Sequence, residues 1–207
     1  DPENLWLSHM PRVRLPAEQI RDQALAVSGL LNQKIGGSPV FPVQTAGYWE
    51  RRVLPGKWKE SPGKDRYRRT MYTYWRRMAL HPTLELLNAP ARENCVVRRN
   101  VSNVPTQALA LLNDPIFVEA HSAFARRLLR EVKNDTGKRL DRAFRLALGR
   151  LPDQSERKAF LRFLEEQVED LAKDEQGVRK IAGGREFAAW TLACSVLLNL
   201  DETITRP

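Results

Sequence analysis

The sequence predicts an all-α domain, an irregular multi-helix fold with a long insertion that is basic and rich in proline and glycine. Apolar residues recur at helical spacing over much of the chain, whereas residues 36–64 hold four prolines and five glycines, a pattern typical of extended loop. The length of 207 residues, with 42% hydrophobic and 29% charged residues, is typical of a globular protein. We therefore expect a single domain over 1–207, with 36–64 as an irregular region inside it.

The first predicted helix spans residues 15–31. Pro16 suits a first helical turn, and Gly36 and Gly37 are expected to stop the helix. Its apolar positions fall on one face: Ile20, Ala24, Val27 and Leu31. In the irregular region that follows, Trp49 and Trp58 are large enough to pin a long loop to the core.

Residues 66–80, RYRRTMYTYWRRMAL, are both basic and aromatic. Their apolar positions fit a helix, although the alternation around Tyr72 and Tyr74 would also suit a strand. We favour a helix that begins near Thr70. A short helical turn over 82–90 follows, closed by Pro90.

The rest of the chain is predicted to be helical. Residues 105–114 and 115–132 form two helices or one helix kinked at Pro115, and Asp114 can cap the second part. Gly149 ends a helix over 137–150. A helix over 151–174 begins with a capping box of Asp153 and Glu156, and the apolar helix over 185–200, which carries Cys194, is expected to be buried.

Several classes of function lack their usual sequence signals. The chain has no apolar run of eighteen residues and its first residues show no secretory leader, although its opening in mid-motif suggests a fragment that lacks an N-terminal part. Two cysteines without CxxC or CxxCH spacing predict neither a zinc site nor attached haem c. His9, His81 and His121 are far apart, so we expect no metal site and no cofactor in this chain.

Positive charge is concentrated in residues 51–80, which hold ten Lys or Arg against two acidic residues, a net charge of +8. With exposed Trp49, Trp58, Tyr67 or Tyr72 this segment would suit nucleic acid, but no helix-turn-helix or RNA-binding motif accompanies it. A docking surface for an acidic partner is the preferred interpretation. The predicted basic face consists of Arg51, Arg52, Arg66, Arg68, Arg69, Arg76 and Arg77.

The segment RENCVVRRNVSN, residues 92–103, is polar, shows neither helical nor strand periodicity, and precedes an apolar helix. It predicts a structural clasp, in which forked arginines bind Glu93, Glu119 or Asp114 and amides close the helix start. The alternative is an anion or sugar site of an enzyme. The candidate binding residues are Arg92, Glu93, Arg98, Arg99, Asn103, Gln107 and Asn113.

Three stretches together resemble a known family: residues 88–120, RAFRLALGRLPDQSE at 142–156, and 186–202. They are similar to the planctomycete-specific domain of unknown function fifteen fifty-three, a C-terminal module of proteins that often carry cytochrome-c-like domains. The resemblance implies an extracytoplasmic setting and haem c on a partner domain. Asn88 stands where the family usually has an acidic residue, and Ser102 where it has threonine, which counts against a catalytic base at Asn88.

Cys95 and Cys194 lie in two of these motifs, and an oxidising compartment would allow a disulfide between them. Two free thiols are the alternative, and a nucleophilic Cys95 is a weaker one. The leading hypothesis for function is a non-catalytic interaction or scaffold module that docks through its basic face on other domains of the same precursor. The alternatives are a carbohydrate- or anion-processing enzyme domain, polyanion or glycan binding, and nucleic-acid binding through residues 49–77.

Overall fold

A computed structural model describes residues 1–51, 57–77, 79–173 and 183–206, and it confirms the all-α class. The helices are α1 (Ala17–Ser28), α2 (Tyr48–Arg51), α3 (Pro82–Leu86), α4 (Pro105–Asn113), α5 (Pro115–Glu131), α6 (Thr136–Ala147), α7 (Gln154–Lys173), α8 (Gly184–Leu198) and α9 (Asp201–Ile204). Two short strands, β1 (Val13–Arg14) and β2 (Thr205–Arg206), pair antiparallel. Two 3-10 turns span Gly63–Tyr67 and Thr70–Tyr72.

Helix α5 lies at the centre of the helical part and packs against α1, α4, α6 and α8. Its apolar positions recur every three or four residues, and Phe117, Phe124 and Leu128 are enclosed completely or nearly so. Helix α8 is buried as predicted, and α7 packs along it. Because a fully buried Phe or Leu side chain contributes about 1.5–3 kcal/mol, this layer supplies much of the folding free energy.

The predicted helix boundaries are confirmed where a cap is visible in the sequence. The Asp114 carboxylate accepts a hydrogen bond from the Ile116 amide at the start of α5. Asp153 and Glu156 accept from each other's amides at 2.8 Å, which is the predicted capping box. The end of α1 was predicted too late: Gly29 adopts φ +81° and closes the helix seven residues before Gly36.

The predicted helix from Thr70 is wrong. Only a 3-10 turn forms there, and the chain then runs extended beside Val40, whose amide and carbonyl bond to Tyr72 and Tyr74. Long-range bonds from α1 hold this conformation. Arg21 donates to the carbonyls of Arg66 and Arg68, and the Asp22 carboxylate accepts from the amide and hydroxyl of Thr70. These contacts override the local helical pattern.

The two ends of the described chain meet at the small sheet. Val13 pairs with Arg206, Arg14 pairs with Thr205, and the Leu15 amide donates to the Ile204 carbonyl at 2.9 Å. This pairing places Arg14 beside the start of α4, next to the polar segment. Among the described residues, no helix combines the length and the apolarity that are needed to cross a bilayer.

Candidate functional site

The polar segment forms an exposed loop between α3 and α4. Every residue from 91 to 101 is exposed, and three shallow cavities of about 280, 250 and 410 Å³ lie along the loop. Arg99 lines all three cavities. The loop is therefore a surface feature with accessible polar groups.

Asn88 fixes the point where the loop leaves α3. It adopts φ +63°, a left-handed conformation that asparagine tolerates better than most residues. The Ala89 amide donates to the Leu84 carbonyl and the Asn88 amide to that of Glu85, the pattern of a Schellman helix end. The Asn88 side chain then donates to the Ser102 hydroxyl at 2.6 Å, which ties the two ends of the loop together.

Gln107 anchors the other end of the loop from inside the core. Its amide nitrogen donates to the Leu86 carbonyl at 2.9 Å and to the Ser102 hydroxyl at 3.2 Å, while its oxygen accepts from Arg14 at 2.8 Å. The side chain is almost fully buried. A clasp therefore exists, and amide and hydroxyl groups form it. Asn88 and Ser102, at the two ends of the loop, are in direct contact.

The arginines of the loop find partners other than those predicted. Arg99 forms an ion pair with Glu18 of α1 at 2.8 Å, and Arg92 stacks over the ring of Trp75 at 4.6 Å. Glu119 instead binds Arg66 and Tyr67, and the Asp114 carboxylate accepts from the Thr83 hydroxyl. The arginines thus pin the loop from its solvent side.

The seven candidate binding residues are not gathered into one site. Arg92, Glu93, Arg98 and Arg99 line the loop cavities, whereas Gln107 is enclosed in the core. Asn103 and Asn113 are exposed but line none of the three cavities described, and the Asn113 side chain donates to the carbonyl of Leu109.

The predicted basic face is not continuous. Arg68 is 2% exposed, donates to the carbonyls of Lys34, Gly36 and Ser38, and lies over the Tyr72 ring at 4.0 Å. Arg66 is held by Glu119 at 2.9 Å. Irregular backbone leaves carbonyls unpaired, and a guanidinium with five donors can satisfy several of them.

The remaining members of the predicted basic face differ in exposure. Arg69 is exposed and lies 3.7 Å from Asp22, Arg77 is exposed, and Arg76 lies 5.4 Å from the Trp49 ring centre. Arg52 and the side chain of Arg51 lie outside the described residues. Among the described members, the fold therefore takes up the charges of Arg66 and Arg68, whereas Arg69 and Arg77 stay exposed.

The aromatic residues expected to stack on nucleic-acid bases are instead used within the fold. Trp49 and Tyr67 are buried. The Trp58 ring nitrogen donates to the Pro42 carbonyl, and the Tyr72 hydroxyl accepts from the Gly36 amide. None of these four side chains forms an open stacking platform, so this requirement for nucleic-acid binding is not met.

Of the two alternatives for Cys95 and Cys194, a disulfide or two free thiols, the structure has the free thiols, and both cysteines lie in the described part of the chain. Cys95 is exposed on the loop and Cys194 is enclosed on α8, and both are free thiols. Burial raises the pKa of the Cys194 thiol well above its ordinary value, which keeps it protonated and unreactive.

Sequence reasoning missed the most important buried cation. Arg21 is 1% exposed, and burial lowers its pKa to about 10 while Asp22 and Asp114 partly oppose that effect. The available signal was its place on the buried face of α1, next to Ile20 and before Ala24. A charged residue on an apolar stripe indicates a partner elsewhere in the fold.

Two histidines are also buried as neutral groups. Burial is the main cause that lowers the pKa of His81 and of His121 to about 4 in each case. Neither lines any of the five cavities described, and the described ranges contain no cluster of three or more metal-ligating side chains. These histidines therefore bear on stability and not on the loop cavities.

Comparison with known proteins gives one match. The family model described as PSD1, protein of unknown function (DUF1553), matches residues 1–164. No curated protein and no solved structure matches the chain.

Proposed function

Since this chain belongs to the DUF1553 family of proteins of unknown function, we propose its role from its surface: a non-catalytic interaction module that packs against another domain of a multidomain extracytoplasmic protein. We infer the extracytoplasmic setting, and a cytochrome-c-like partner that carries the haem, from the family resemblance alone. The chain itself supplies the docking surface. That surface is the apolar strip, which we define as Val96, Val97, Val101, Val104, Leu109 and Leu112.

The exposure of the apolar strip is the observation that carries this proposal. Val97 is fully exposed, Val101 is 67% exposed and Leu109 is 57% exposed. Leu109 and Leu112 stand three residues apart on α4, are exposed, and follow the loop valines in sequence. Exposed apolar groups that are concentrated in one segment of a protein surface are a basis for proposing an interaction site.

The surroundings of the strip fit a protein partner. Arg92, Arg98 and Arg99 come from the same loop, and arginine is enriched in protein interfaces while aliphatic groups form their centre. The clasp of Asn88, Ser102 and Gln107 holds both ends of the loop, so less conformational entropy is lost on docking. These features favour the strip over the basic segment, whose Arg66 and Arg68 are engaged inside the fold.

Cys95 provides a direct test, because it is exposed beside the strip while Cys194 is enclosed. A photoreactive maleimide on Cys95, in the full-length protein that carries the domain, is expected to cross-link to another domain, with the product identified by mass spectrometry. Cross-links confined to residues of this domain would contradict the proposal.

Single substitutions test whether docking uses the apolar strip or another part of the surface. Val97→Asp places a charge in the strip and is expected to lower the cross-linking yield at least about tenfold, which corresponds to about 1.4 kcal/mol. Ile35→Asp is the matched control, because Ile35 is 86% exposed outside the strip. Since apolar contacts are not screened by salt, the yield should change little between low and physiological salt, whereas docking through exposed charges would weaken.

A further inference from the structure

A cleft of about 960 Å³, the largest of the five cavities described, lies on the side of α5 that faces the end of α1. Ser28, Gly29 and Leu30 form one wall and residues 118–131 of α5 form the other, with Arg66 at one side. Four arginines and two glutamates line it, which leaves a net charge of +2: Arg66, Arg126, Arg127, Arg130, Glu119 and Glu131.

Two of the four arginines are held in place by the fold. Arg127 bonds to Glu131 at 2.7 Å and to the Val27 carbonyl at 2.8 Å, where it also offsets the negative end of α1. Arg66 bonds to Glu119 at 2.9 Å. These guanidinium groups are fixed and largely neutralised, so they shape the cleft without supplying its excess charge.

The excess charge comes from Arg126 and Arg130. Both are exposed, and neither forms an ion pair with any described residue. Arg126 lies 5.1 Å from the Phe187 ring centre, a contact that leaves its N–H groups available. With Ser122 they stand at four-residue intervals along α5, so all three line the cleft as one stripe.

The composition of the stripe selects a class of ligand. Guanidinium forks match the oxygens of phosphate and sulfate groups, and a hydroxyl adds a further donor. The net charge of +2 is equal in magnitude and opposite in sign to the charge of one divalent oxyanion. No aromatic side chain is among the lining residues, so the cleft offers no surface for stacking of bases or sugar rings.

We propose that this cleft binds a ligand through a sulfate or phosphate group, which is held between Arg126, Arg130 and the Ser122 hydroxyl. Arg66 and Arg127, whose charges are balanced by Glu119 and Glu131, form a fixed rim that limits the shape of the ligand. The site is separate from the apolar strip, so it adds a small-ligand or polymer contact to the interaction module.

Isothermal titration calorimetry of the purified chain with inorganic sulfate, inorganic phosphate and a sulfated oligosaccharide tests the site. Arg126→Gln with Arg130→Gln is expected to raise the Kd of each binding probe at least about tenfold, because two charge-assisted contacts are lost. Arg130→Gln alone, at an exposed position without an ion pair, is expected to weaken binding while it leaves the fold intact. The matched control is Arg145→Gln with Lys158→Gln, which removes two exposed charges from α6 and α7.

The outcomes are distinguishable. Binding of the inorganic ions that depends on Arg126 and Arg130 supports a site for the free oxyanion, and binding of the oligosaccharide alone with the same dependence supports an esterified ligand. Equal loss in the control pair would show that the overall positive charge binds the probes, which overturns the proposal. Equal affinity for a carboxylated oligosaccharide, or no binding of any probe, would overturn it as well.

Discussion

The stability of the protein should fall steeply between neutral and mildly acidic pH because of two buried histidines. His81 and His121 are 3% and 2% exposed, and burial lowers the pKa of each to about 4. For His81 the charge of Arg21 acts in the same direction, while its bond to the Val43 carbonyl opposes it. In the unfolded chain both histidines titrate near the ordinary value of about 6.5.

The direction and the size of this pH effect on stability follow from the protons bound by the folded and unfolded states. Between the two pKa values the unfolded chain binds the proton and the folded protein does not, so the stabilisation is complete above about pH 6.5 and is lost as the pH falls towards 4. At about pH 5 each histidine accounts for a loss of about 2 kcal/mol relative to pH 8, and the two together for about 4 kcal/mol. That loss is a large part of a typical folding free energy of about 5–15 kcal/mol.

Carboxyl groups change the stability of the protein less than the histidines do in this pH range. Arg127 and Arg150 lower the pKa of Glu131 and Glu156, so their contribution is lost only when the pH falls below the ordinary range of glutamate. Burial raises the pKa of Asp114, which makes the folded state bind a proton more readily and opposes the histidine effect. The measured loss should therefore be somewhat smaller than the sum for the histidines alone.

Urea unfolding followed by tryptophan fluorescence at about pH 8 and about pH 5 measures the effect. His121→Gln is expected to reduce the difference in unfolding free energy between the two pH values by about 2 kcal/mol. Because each variant is compared with itself at the two pH values, any effect of the substitution that does not depend on pH cancels. His9→Gln removes an exposed histidine and controls for the substitution. If His121→Gln and the parent lose the same free energy between the two pH values, the assignment of a buried neutral His121 is refuted.

Three further predictions concern the clasp, the insertion and the thiols. Asn88→Gly removes the 2.6 Å hydrogen bond to the Ser102 hydroxyl and should lower the free energy of unfolding in urea by about 1 kcal/mol. Asn88→Ala should lower it by about 1 kcal/mol more, because alanine is strained at φ +63°. A glycine variant less stable than the alanine variant would contradict the left-handed helix end at residue 88. Arg68→Met leaves three carbonyls unpaired and should lower the free energy of unfolding by about 3 kcal/mol. Amide hydrogen exchange over residues 34–38 should become faster, and unchanged exchange there would contradict the role of Arg68. A thiol reagent should modify one cysteine in the native protein and two after unfolding without reductant, whereas a protein with no reactive thiol before reduction would contain the disulfide.

The sequence predicted the helical part well because its signals are local. Asp114, Asp153 and Glu156 cap helices through bonds to residues two or three positions away. The insertion could not be predicted in this way. Arg21 bonds to the Arg68 carbonyl, which lies 47 positions away in the sequence. A contact over such a separation produces no periodic pattern of residues in either segment, so it cannot be predicted from the pattern.

The polar loop was located correctly, but its contacts were only partly predictable. Gln107 was among the candidate residues, whereas Asn88 and Ser102, which complete the clasp, were not. The partner of Arg99 could not be inferred, since Glu18 lies 81 positions away on α1. Polarity indicates that a segment needs partners, but only the folded chain decides whether those partners are solvent, ligand or protein.

Part of the positive charge in and around the insertion serves its irregular backbone. A segment without helix or sheet pairs few of its own carbonyls, and Arg21 and Arg68 together bind five carbonyls between residues 34 and 68 from buried positions. Each such guanidinium counts as a positive charge in the sequence yet presents almost none to a partner. Other cations of this region stay exposed, such as Lys57, Lys59, Lys64, Arg69 and Arg77. Arg126 and Arg130 differ from them in position, because α5 satisfies its own backbone and holds both side chains at the cleft where we propose that an anion binds.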